Sequence, residues 1–113
     1  MFTQLTKGLR RRVMYVESKD GLIDGARARI GWVAFSRTGQ TVYYRGLTLQ
    51  KGSGVSGNFF DADTRAEYWI SGVKRRGSNA HPAEAGVNVE IDPDAVAEYE
   101  RIRDPRRQKK APE

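Results

Sequence analysis

The sequence predicts a mainly β (α+β) fold. It should be a small antiparallel, strongly bent sheet, or an SH3- or OB-like partial barrel of about five to six strands, with one C-terminal helix. Three observations lead there. Short segments rich in β-branched and aromatic residues recur along the chain, separated by Gly- and Asp-containing turn signals. The turns between them are short enough for hairpins. A single strong helix signal, Asp92-Pro93-Asp94, stands near the end. At 113 residues the chain is long enough for one domain.

Residues 1–10 are polar, lack periodicity and read as a flexible N-terminal segment. The domain is expected over 11–103 and a basic, disordered tail over 104–113. "RRVMYVES" (11–18) reads as the first strand, and "KDGLIDG" (19–25) as a connection with two Asp/Gly turn signals. "ARARIGWVAFS" (26–36) carries Ile30, Trp32 and Ala34 on one face and Val33 and Phe35 on the other, the pattern of a central strand. After the loop "RTGQ" (37–40), "TVYYRGLTLQ" (41–50) reads as one return strand. "KGSGVSGN" (51–58) is a flexible loop by composition. In "FFDADTRAEYWISGVK" (59–74), Asp61 to Arg65 should turn between two strands. "RRGSNAHPAEAG" (75–86) is a long connection and "VNVEI" (87–91) a last strand.

Asp92 then suits a helix N-cap, its carboxylate accepting from free backbone N–H groups. Pro93 suits the first helical position. Ala95, Val96, Tyr99 and Ile102 share one apolar face, and Asp104-Pro105 ends the helix.

Composition excludes several chemistries. There is no cysteine, so neither a disulfide framework nor thiolate catalysis is available. No apolar run approaches a membrane span and the N-terminus lacks a secretory pattern, so a cytoplasmic protein without a membrane partner is expected. The net charge is +6. Its excess comes from Lys7, Arg10, Arg11 and Arg12 at one end and from the tail at the other. Residues 13–103 carry equal numbers of each sign. "LQKGSGVSG" lacks the order of a phosphate-binding loop and no helix follows it. Asp61, Asp63 and Glu67 enclose Arg65 where a calcium loop needs an oxygen ligand, and they read as turn residues. His81, the single histidine, has no second histidine or cysteine to share a metal with. No metal, cofactor or catalytic residue is therefore expected.

"TVYYRG" (41–46), "EYWISGVKRRGSNAH" (67–81) and "VEIDPDAVAEYERIR" (89–103) resemble segments of a group of small, uncharacterised bacterial proteins with no established activity. The resemblance covers most of 13–103 and implies no catalytic or binding assignment.

The aromatic and basic residues carry the functional expectation. Trp32, Tyr43, Tyr44, Phe59, Phe60, Tyr68 and Trp69 alternate with Arg29, Arg37, Arg45 and Lys74 to Arg76 on strands or strand ends. Bases stack on aromatic faces while cations follow phosphates. The alternative is that these rings serve the core. The expected function is a non-enzymatic binding module contacting a polyanion, RNA or single-stranded DNA. Its ligand-binding residues would be Lys74, Arg75, Arg76, Ser78, Asn79 and His81, with Tyr44 and Arg45. A protein-interaction domain using exposed aromatics or a sheet edge is the second expectation.

Overall fold

The computed structural model describes residues 8–52, 57–74 and 88–104. Among these residues the strands are β1 (Arg10–Ser18), β2 (Ala28–Phe35), β3 (Thr41–Tyr44), β4 (Leu47–Lys51), β5 (Phe59–Asp61), β6 (Glu67–Gly72) and β7 (Val89–Ile91). A 3-10 turn, Pro93–Ala95, leads into one short helix, α1 (Val96–Arg103). Strands β1 to β6 pair antiparallel in sequence order. β1 closes the ring by pairing β2 on one edge and β6 on the other. The strongly bent sheet expected from sequence is thus a closed barrel of six strands, with β7 added outside it. β7 runs parallel to β2, against Ala28, Arg29 and Ile30.

Alternation along the strands builds two cores. Inside the barrel lie Met14, Val16, Val33, Val42, Tyr44, Leu49, Phe59, Tyr68 and Ile70. On the outer face of β1 and β2, Val13, Tyr15, Ala28 and Ile30 form a second cluster with Ala95, against which Tyr99, Ile102, Trp32 and Trp69 pack. The helix therefore covers the side of the barrel. Val96, expected on its apolar face, is exposed.

Three sequence expectations need correction. Residues 41–50 are two strands, because Arg45 and Gly46 both adopt positive φ (47° and 84°) and form a two-residue hairpin turn between β3 and β4. Arg10, expected in the flexible N-terminal segment, begins β1 one residue ahead of the predicted strand, which Arg11 and Arg12 continue as expected. Asp92 makes no side-chain cap: its backbone carbonyl accepts from Ala95 N at 2.9 Å while its carboxylate turns away from the helix.

Where β6 outruns β5, Asn58 stands in for a strand. Its side chain donates to Ile70 O (2.7 Å) and accepts from Ile70 N (2.8 Å), so neither backbone group is left unpaired. Asp61 accepts from Asp63 N and Thr64 N, which confirms the turn reading for Asp61 and Asp63. No helix among the described residues is long and apolar enough to cross a membrane.

Candidate functional site

The site grows from a gap in the sheet. β3 pairs β2 only at Ala34 and Phe35, and β7 pairs it only from Ala28 to Ile30. Gly31, between those stretches, faces inward opposite Met14. A Cβ placed on Gly31 would lie 2.1 Å from Asp92 Oδ2 and 2.8 Å from the Tyr44 ring. The missing side chain is therefore the space through which the Asp92 carboxylate reaches the barrel interior. Asp92 follows β7 directly, its N–H bonded to Ile30 O at 2.8 Å.

Inside, Asp92 is 6% exposed. Tyr44 Oη donates to Oδ2 at 2.6 Å, and Arg29 and Arg45 donate to Oδ1 at 3.2 and 3.3 Å. Arg45 also pairs with Asp24 at 2.6 Å. Asp24 sits with Gly25 in a second positive-φ turn, so two turns distant in sequence meet at one barrel end. Arg29 completes the plug by donating to Ile23 O and Asp24 O. The left-handed conformation costs Arg45 about 1 kcal/mol or more. Its two carboxylate partners offset that cost, since charge-assisted bonds are the stronger class. Both carboxylates, Asp24 first, hold the Arg45 guanidinium further into its charged form.

A groove opens on the outer side of this plug. Arg11, Ala34 and Tyr43 are cross-strand neighbours on β1, β2 and β3 and point to the same face. Ala34 is small, so it forms a floor between longer walls. Trp32 stands two residues along β2, half-buried, with its Nε1–H donated to Asp94 O at 2.9 Å. A cavity of about 440 Å³ is lined by Arg11, Trp32, Tyr44, Arg45, Asp92, Pro93 and Asp94. A second, of about 130 Å³, continues it along Ala34, Tyr43 and Gly46 and shares Arg11, Trp32, Tyr44 and Arg45. Arg10, at the same strand end, lies over the Phe35 ring at 5.2 Å. Glu17 heads a different ionic group on β1. It is fully buried, accepts from Tyr15 Oη at 2.5 Å and from Lys19 at 2.8 Å, and has no part in the groove lining.

Of the sequence-expected ligand residues, the structure brings Tyr44 and Arg45 together. Arg45 is exposed and lines both cavities, whereas Tyr44 is a core residue whose ring is not available as a stacking platform. Lys74 is exposed at the end of β6, its carbonyl accepting from Arg103 at 3.0 Å. Arg75, Arg76, Ser78, Asn79 and His81 lie outside the described residues. Sequence reasoning missed Arg11, Asp92 and Asp94 as site residues. The available signal was Gly31 inside an apolar strand, which marks a close approach by another group. No family model, curated protein or solved structure matches the chain.

Two predictions follow from the plug. Gly31→Ala must expel the carboxylate or displace the Tyr44 ring, and should lower unfolding free energy in urea by about 2 kcal/mol or more. Unchanged stability would show the space is not needed. Burial first, then the bond to and charge of Asp92, push the Tyr44 hydroxyl well above the ordinary 10.0. The folded state thus holds this proton more tightly than the unfolded chain. The hydroxyl's contribution is full below about pH 10 and declines as pH rises through the folded-state value, at up to about 1.4 kcal/mol per pH unit. Tyr68 is raised too, mainly by burial, so the comparison must be between wild type and Tyr44→Phe. Their stability difference should shrink above about pH 10; a constant difference would contradict the assignment.

Proposed function

We propose that this domain is a non-enzymatic module that binds single-stranded nucleic acid, RNA or single-stranded DNA, across the outer face of β1, β2 and β3. The observation that carries the reading is the groove itself, in which Trp32 and Tyr43 lie between the cations Arg11 and Arg45. Bases stack on aromatic faces while guanidinium groups follow the phosphates. Arg10 and Arg12 flank Arg11 on β1. Lys74 extends the basic margin, since it lies two residues beyond Gly72, which pairs with Met14. In sequence the cations continue into Arg75 and Arg76.

The larger cavity falls within the range of about 300–1,000 Å³ typical of small-ligand sites, ample for one base. Among the described residues its lining holds no histidine, cysteine, serine or lysine, and its buried carboxylate, Asp92, is committed to three donors. These features favour holding a ligand over transforming one. Among the described residues the free sheet edge is the outer edge of β7, and three residues offer a partner strand few ladder bonds. The large hydrophobic side chains exposed among the described residues are Leu22 and Val96.

The test is titration of a labelled single-stranded oligonucleotide at low and moderate salt, with Tyr43→Ala and Arg11→Ala beside wild type. Tyr43→Ala should weaken binding by about 1–3 kcal/mol. Arg11→Ala should weaken it across sequences and reduce the slope of log affinity against log salt by about 0.7. No binding at low salt, or binding indifferent to both substitutions, would end this reading.

A further inference from the structure

Asp94 is exposed and lines the larger cavity, yet its carboxylate makes no hydrogen bond or ion pair among the described residues. Its backbone carbonyl does have a task, because it accepts the Trp32 indole N–H at 2.9 Å. One residue therefore ties down the Trp32 indole and adds to the cavity which that ring lines a carboxylate with no partner among the described residues. An anion is out of place in a groove that only follows phosphates. It would repel them, and the same-face positions on β1 and β3 carry Arg11 and Tyr43 instead.

Resting on the nucleic-acid reading above, we infer that Asp94 selects guanine at the base position over Trp32. A base stacked on the indole presents its edge to the carboxylate. Two carboxylate oxygens call for two adjacent N–H donors, and charge-assisted bonds of this kind are strong. Guanine supplies such a pair, N1–H and the N2 amino group. The Watson–Crick edge of cytosine and that of adenine each set an acceptor nitrogen beside the single amino group, and uracil flanks its N3–H with two carbonyls. Those acceptors would face the carboxylate and be repelled. Single-stranded bases expose this edge, so the readout needs no duplex to be opened.

The experiment compares three short uridine oligomers of equal length: one with two isolated guanosines, one with inosines in their place, and one of uridine alone. Inosine keeps N1–H and lacks the N2 amino group. Wild type should bind the guanosine oligomer about tenfold or more tightly than the inosine oligomer, the scale of a good bidentate base contact. Asp94→Asn removes a negative charge, an effect shared by all three oligomers, so the informative quantity is the guanosine-to-inosine ratio, which should fall toward one. Circular dichroism and melting temperature check that Asp94→Asn folds as wild type does. A ratio near one in wild type, or a ratio that Asp94→Asn leaves unchanged, overturns the guanine assignment while the nucleic-acid reading stands. Failure of all three oligomers to bind overturns both.

Discussion

The structure depends on one buried carboxylate. Asp92 leaves the end of β7, passes over Gly31 and enters the barrel, where a phenol and two guanidinium groups hold it. A carboxylate taken out of water without partners would cost several kcal/mol, and removing one partner of such a set is far more damaging than the set is stabilising. The arrangement therefore specifies where the C-terminal segment sits more than it adds to overall stability. It fixes Pro93 and Asp94 against β2, and Ala95 follows into the outer core.

The groove follows from that placement. Its far wall is the Pro93–Asp94 segment, and the Trp32 ring is oriented by the Asp94 carbonyl. The near wall comes from strand register, which sets Arg11, Ala34 and Tyr43 side by side. Arg45 serves both parts. Its left-handed backbone turns β3 into β4, and its guanidinium bridges Asp24 and Asp92 while facing the cavity. Asparagine or glycine would form the turn at lower backbone cost, but neither would supply the charge.

Much of the fold was legible in the sequence. The hairpin from Phe59 to Gly72 shows its turn in Asp61-Ala62-Asp63-Thr64-Arg65, and Trp69 alternates with Tyr68 and Ile70 as its period demands. What was hidden has particular physical causes. The turn at Arg45-Gly46 carries an arginine where the left-handed region favours Asn, Asp or Gly, so "TVYYRGLTLQ" reads as unbroken strand. Asp92 before Pro93 reads as a helix cap because local spacing cannot show that Gly31, some sixty residues earlier, leaves a space for it. Arg11 reads as the start of the first strand, but its neighbours Ala34 and Tyr43 are set by pairing between strands, a long-range event. Aromatic and basic residues recur along the strands in sequence, and register decided which of them line the groove.

The most direct test of this dependence is hydrogen exchange at the Trp32 indole N–H, followed by NMR in wild type and Asp92→Ala. This proton should be protected in wild type by its bond to Asp94 O. In Asp92→Ala it should exchange much faster, while backbone amides of the barrel interior such as Val33 and Leu49 stay protected. Equal protection of the indole proton in both proteins would show that the buried carboxylate does not hold the groove wall in place, and would contradict the account.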